Sequence, residues 1–223
     1  MLFRSRWLEF GTPKSILLLL YKRITGAREL GLDDIPDLVN EYNELEDIYF
    51  GKIKVDNQAK LVKSKGLYEY VNLLNPPKQI SQHVNYRLLI ELSKIFREDR
   101  IERVSKKLLD YGVLKNVEPE IENLIELAGR FADEFDEQEK IELELTEKEK
   151  NAINALIEEL GKDNLEDIQN TIYQTAKNNE VEPKDFFKIL YQIILGTTRG
   201  PKIGPFIQDI GQKQVAKKLV EYT

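Results

Sequence analysis

The residues best suited to chemistry in this sequence lie near its end. Between residues 196 and 219 the chain carries Arg199, Lys202, Lys213, Lys217 and Lys218 against the single acid Asp209, five cations to one anion and a local net charge of +4. Cations at that density attract phosphates, and a polyanion such as RNA is the partner they suit. The stretch is also stiff. Leu195-Gly196-Thr197-Thr198-Arg199-Gly200-Pro201-Lys202-Ile203-Gly204-Pro205-Phe206-Ile207 places two Gly-Pro steps around a Lys-Ile pair. Glycine opens backbone conformations closed to other residues, while proline fixes φ and suits a helix entry, so the pattern specifies a defined loop between two apolar helices. Arg199 and Lys202 are the first candidates for phosphate contacts, with Lys213, Lys217 and Lys218 behind them. Tyr191, one helix earlier, is a candidate to stack on an unpaired base. Phe186 and Phe187 share its helical spacing among Leu and Ile, which reads chiefly as core. At the other end Arg4, Arg6, Lys14, Lys22, Arg23 and Arg28 stand against Glu9 and Glu29, again +4; Lys22, Arg23 and Arg28 form a secondary basic patch.

Other chemistry finds few residues to run on. The one histidine, His83 in Ile80-Ser81-Gln82-His83-Val84, reads as a surface or helix-entry residue rather than a general base. With no cysteine there is no disulfide framework, thiolate nucleophile or cysteine-ligated zinc, and a cytosolic setting fits best. No phosphate loop and no Gly-x-Gly-x-x-Gly after a strand occurs, so no cofactor is expected. Seven acids and one lysine from Asp133 to Glu144 account for a net −6, but they lack the ligand alternation and central glycine of a calcium loop, and no metal is expected. The longest purely aliphatic run, Ile16 to Leu20, is far shorter than a membrane span and reads as a buried helix. The overall charge of −6 thus belongs to one short segment and does not oppose an RNA partner. The absence of Cys, the single Met and the abundance of Lys, Glu and Ile lean toward a heat-adapted source.

The elements that must position these residues are helical throughout. Thr12-Pro13 is a helix entry and Gly26 an exit, with Trp7 before them as a docking anchor. After Asp33 and Asp34 the residues Ile35, Leu38, Val39, Tyr42, Leu45, Ile48 and Tyr49 recur at steps of three and four, and Gly51 stops them. Lys52 to Lys65 reads as irregular or weakly helical, and Asn75-Pro76-Pro77-Lys78 breaks the chain. Further helices are marked by Leu88 to Phe96, by Ile101, Val104, Leu108 and Leu109 before Gly112, and by Ile121 to Phe131 behind Pro119. Thr146 and Glu149 form a capping box. Then come Ala152 to Leu160, Leu165 to Ala176, Phe186 to Ile194 behind Pro183, the Gly-Pro loop, and a last helix burying Val215, Leu219 and Val220. No stretch alternates with period two, and no repeat of 20 to 50 residues is evident. The expectation is an all-α fold: a helical bundle over residues 1–132, an acidic linker over 133–145, and a C-terminal helical domain over 146–223.

Particular residues carry a resemblance. Trp7-Leu8-Glu9, Pro13 and the run Leu38-Val39-Asn40-Glu41-Tyr42-Asn43-Glu44-Leu45-Glu46-Asp47-Ile48-Tyr49-Phe50-Gly51 resemble the segment that follows the signature loop in class I, archaeal-type lysyl-tRNA synthetases. Pro183-Lys184-Asp185-Phe186-Phe187, Leu190-Tyr191 and Leu195-Gly196 through Gly204-Pro205-Phe206-Ile207 resemble that family's closing motif. The likeness covers nearly the whole chain and is most specific at Asn40 to Gly51 and in the double Gly-Pro loop. It implies a stem-contact region, a helix bundle and a helix cage that receives the anticodon, hence a cytoplasmic protein that reads tRNA on its anticodon side.

In that family catalysis belongs to an N-terminal Rossmann domain with a His-Ile-Gly-His-like motif and a Lys-Met-Ser-Lys-Ser-like loop, and neither occurs in this sequence. Lys63-Ser64-Lys65-Gly66 imitates the second by chance, since it lies downstream of the helix that should follow the signature. No aminoacylation by this chain alone is expected. The opening Met and the residues after it, which do not read as a cut through the signature loop, favour a naturally short paralogue. Two other readings stay open: a ribosome-associated translation or dormancy factor on ribosomal RNA or a ribosomal subunit, and a non-catalytic part of a lysine-tRNA ligase acting with a separate catalytic chain.

Overall fold

Apolar residues three and four apart, stopped by Gly, Pro and Asx caps, produce helices from one end of the chain to the other. A computed structural model describes residues 3–22, 31–135, 142–162 and 167–223, and among these there are twelve α-helices, two short 3-10 turns and no strand. The all-α expectation holds.

The first half comprises α1 (Phe3–Trp7), α2 (Pro13–Lys22), α3 (Ile35–Tyr49), α4 (Gln58–Val71), α5 (Tyr86–Ile95), α6 (Arg100–Asp110) and α7 (Pro119–Glu134). Trp7 is fully buried and its indole donates to Ser15 Oγ at 3.0 Å, which pins α1 to the start of α2. The core of this half is made where α5 packs along α7 and where α3 meets α2 and α4. The second half comprises α8 (Glu147–Leu160), α9 (Ile168–Asn178), α10 (Pro183–Leu195), α11 (Ile203–Ile210) and α12 (Gln212–Leu219). The Thr146 capping box forms, with Thr146 N–H donating to Glu149 Oε2 at 2.7 Å. The buried apolar side chains of both halves form one continuous cluster, and α5 touches α10 and α11.

Several elements depart from the sequence reading, each for a physical reason. The segment up to Lys65, expected to be irregular or weakly helical, is a regular helix from Gln58, opened by Asn57 Oδ1 accepting from Lys60 N–H at 2.9 Å. This helix buries only Ser64, Tyr68 and Val71, a stripe too narrow to stand out among its lysines. The second Gly-Pro step is not loop: Gly204 and Pro205 belong to the first turn of α11, where a missing proline N–H costs nothing. Val220 lies beyond α12 and is 55% exposed, so the last helix buries Val215, Ala216 and Leu219 instead. In α6 only Val104 and Leu108 are buried, while Ile101 and Leu109 stay exposed. Gly26 and Leu165, expected at a helix exit and a helix start, lie outside the described residues.

His83 is neither a surface residue nor a plain helix entry. Its Nε2 sits 2.5 Å from Oε2 of Glu46, a fully buried acid of α3 that also accepts from the Tyr68 hydroxyl at 2.7 Å and from Ser81 Oγ at 3.2 Å. Burial alone would lift the Glu46 carboxyl, yet hydrogen bonds from His83, Tyr68 and Ser81 and the charge of His83 hold it below its ordinary value. Burial and the bond to Glu46 push the Tyr68 phenol well up. A buried carboxylate is expensive unless its lone pairs are met, and here several donors meet them.

Candidate nucleic-acid interface

The Gly-Pro loop is built on Tyr191. Gly196 ends α10 in the left-handed region at φ 65°, which turns the chain back along the helix. Residues 197–202 then cross the C-terminal half of α10, with the Tyr191 hydroxyl donating to the carbonyl of Pro201 and the ring lying against Gly200. A Cβ on Gly200 would meet the ring carbons at 2.8 and 2.9 Å, so no larger residue fits without a shift. Pro201 is buried and Ile203, Phe206, Ile207 and Ile210 anchor α11 in the core, leaving Arg199 and Lys202 exposed on a braced loop. Burial raises the Tyr191 phenol above its usual value. Tyr191 thus has a structural task at its hydroxyl while part of its ring stays accessible.

Between this loop and α10 runs a groove of about 580 Å³ lined by Lys184, Phe187, Lys188, Tyr191, Thr198, Arg199 and Gly200. Three cations surround two aromatic rings. The sequence alone does not single out Lys184 and Lys188, and it places Phe187 chiefly in the core, whereas the structure leaves Phe187 half-buried at the groove. Their spacing from Tyr191, at positions 184, 187, 188 and 191, is one helix face and was the signal that could have found them. Phe186, by contrast, is fully buried. Lys188 also bonds Asp185 at 2.6 Å on the exposed flank.

The remaining cations of the C-terminal segment separate in space. Lys213 lines a second groove of about 460 Å³ at the α11–α12 junction, with Lys162, Gln208, Gln212 and Gln214. Lys217 is exposed on α12. Lys218 turns inward: its ammonium donates to the Ile194 carbonyl at 3.0 Å, and burial lowers its pKa. Asp209 is held by Lys107 of α6 at 2.8 Å and accepts from the Tyr111 hydroxyl, while the Tyr111 ring meets Phe206 edge-on at 6.2 Å. At the other end of the chain Lys22 pairs with Glu41 at 2.7 Å. Arg23 and Arg28 lie outside the described residues. Among the described residues no group of acids and histidine could hold a metal ion, and no helix is long and apolar enough to cross a membrane.

Comparison with known proteins identifies the family. A family model described as an anticodon binding domain matches residues 79–222, a span that includes α5 to α12 and both C-terminal grooves. A lysine–tRNA ligase of Cenarchaeum symbiosum (strain A) is 52% identical over 212 residues, covering 95% of this chain and 40% of the ligase. The lysine–tRNA ligase of Rickettsia rickettsii (strain Sheila Smith) is 30% identical over 228 residues, covering 96% of this chain and 41% of the ligase. That of Borreliella burgdorferi is 33% identical over 210 residues, with 85% and 38% covered. The chain spans about two fifths of the length of these curated relatives.

Proposed function

The chain belongs to the anticodon-binding domain family, and from that premise we propose that it binds tRNA on the anticodon side through the groove between α10 and the Gly-Pro loop. The observation that carries this reading is the grouping of Lys184, Lys188 and Arg199 around the Phe187 and Tyr191 rings. Cations hold the phosphates of an RNA loop, and its unstacked bases lie on aromatic faces. Lys202, on the same loop, extends the phosphate track, and Lys213 and Lys217 continue it along α12. Lys218 supports the surface from beneath. The parts 1–132 and 146–223 act together across the acidic segment 133–145, joined by the Lys107–Asp209 pair.

The relatives are named as lysine–tRNA ligases, which supports lysine tRNA as the RNA, and the absence of cysteine suits the cytosol as the place. In this reading the chain supplies tRNA recognition and performs no lysine activation by itself. The test is binding of the full chain to transcripts of lysine tRNA and of the same tRNA with an altered anticodon, alongside purified ribosomal subunits. Preference for the native anticodon supports the proposal. Equal affinity for both transcripts together with co-sedimentation with subunits overturns it in favour of ribosomal RNA.

A further inference from the structure

A third cleft, of about 560 Å³, opens on the opposite half of the molecule between the start of α2, α3, the end of α4, residues 75–82 and the start of α7. We propose that it holds a single unpaired nucleotide, the ring against Tyr42, Pro76 and Pro77, an edge on Gln82, and the phosphate on Lys14 and Lys78. Four observations converge on this.

The first is Gln82, whose Oε1 is buried and without a partner although its Nε2 donates to Asn116 at 3.1 Å. A buried acceptor left open costs stability unless something donates to it, and ring N–H and exocyclic amino groups of bases are such donors. The second is Lys14, half-buried and with no ion pair or hydrogen bond among the described residues. Burial lowers its pKa while the Glu46 carboxylate raises it, so the ammonium stands at the cleft with only a distant counter-charge. A phosphate would supply the near one, and Lys78 is exposed on the same rim against the one lining acid, Glu120. The third is the backbone at the lip. Leu73 and Leu74 both lie in the left-handed region, at φ 55° and 59°, and swing Asn75-Pro76-Pro77 across the end of α4. Two non-glycine residues there cost of order 1 kcal/mol or more each, a strain that clusters at binding sites. The fourth is size: roughly 300–1,000 Å³ is the range of small-ligand sites, and this cleft lies within it.

The cleft is separate from the C-terminal grooves, and its ligand could be a splayed nucleotide of the RNA bound under the proposal above or a free mononucleotide. Both share the chemistry of a donor-bearing ring with a phosphate. Isotope-labelled full chain is titrated with a single-stranded heptaribonucleotide, with its blunt duplex and with each 5′-mononucleotide, following the amides of Ser81 and Gln82. Shifts with the single strand alone assign the site to RNA, and shifts with a mononucleotide assign it to the free ligand. No shift at Ser81 and Gln82 with any of the probes overturns the proposal without recourse to a variant. Lys14→Met and Gln82→Leu should each weaken the ligand about tenfold, the scale of one lost hydrogen bond or charge-assisted contact, and Lys14→Met alone should lower the salt slope by about 0.7. If the single strand moves the amides of residues 198–200 but not those of 81–82, the cleft fails and the anticodon-side reading stands. If it moves 81–82 but not 198–200, the reverse holds.

Discussion

Lys107 of α6 reaches across to Asp209 of α11 at 2.8 Å, and in doing so removes the only acid from the C-terminal basic segment. The pair is partly exposed, so its direct electrostatic worth is modest, about 1 kcal/mol. Its larger consequence is positional. With the Tyr111–Phe206 contact it ties α6 to α11 and fixes where the Gly-Pro loop stands relative to the first half. Lys107→Met should lower Tm by a few degrees in a thermal scan, and RNA affinity should fall, because the freed Asp209 carboxylate then repels the phosphates. A variant with unchanged Tm and unchanged affinity would show that the pair is ornamental.

Arg199 and Lys202 should report phosphate contacts through salt. Replacing both with Ala is expected to reduce the slope of log affinity against log salt by about 1.4 to 1.8, roughly 0.7 to 0.9 for each contact. Far-UV circular dichroism should not change, because neither residue is buried. Lys218→Met makes the opposite pattern: stability falls, since the Ile194 carbonyl loses its donor, and the slope stays. Filter binding from 50 to 300 mM salt separates the two.

Gly200 and Tyr191 form one device, and each should be intolerant in its own way. Gly200→Ala drives a methyl to within 2.8 Å of the Tyr191 ring, which should cost about 1–3 kcal/mol and displace Arg199. Tyr191→Phe keeps the stacking face and removes the bond to Pro201, so it should cost about 1 kcal/mol and reduce RNA affinity only slightly. Denaturant unfolding together with RNA binding would reveal a loop that is not braced in this way if both variants behaved as wild type.

Glu46 makes the fold sensitive to acid. Its carboxyl is held below its ordinary value in the folded chain, so its stabilising contribution is complete above the unfolded carboxylate pKa of about 4.3. It is lost as pH falls below that value and through the folded-state pKa. Glu46→Ala should cost about 3 kcal/mol at pH 7 by leaving His83, Tyr68 and Ser81 without their acceptor. The loss should shrink between pH 4.5 and 3, as measured by urea unfolding at each pH. A cost independent of pH would mean that Glu46 acts through packing alone.

A glutamate-specific protease should cut first between residues 133 and 145, because five glutamates stand there close together. The resulting pieces should co-elute on gel filtration, since α5 contacts α10 and α11 and Lys107 holds Asp209. Pieces that separate without denaturant would mean that these contacts do not bind the halves together.

Much of this molecule was legible along the chain. Periodic apolar residues and explicit caps announce α3, α5, α7, α8 and α10, because helix formation is a local property of three- and four-residue spacing. Local charge density marked Arg199 and Lys202, and both stand exposed on the braced loop. What pairing and burial decide was not legible. Nothing local says that Lys218 turns toward Ile194, that Tyr191 spends its hydroxyl on Pro201, or that Lys22 is matched by Glu41. The lone histidine looks idle along the chain because its partner, Glu46, lies 37 residues earlier, on α3. The grooves are made by tertiary packing, where α10 meets its following loop, where α11 meets α12 and where α4 ends against α7. Residue type and spacing determined the helices and the total charge; which charges remain free to meet a phosphate was decided by long-range packing, since each cation is neutralised or exposed according to what the fold brings beside it.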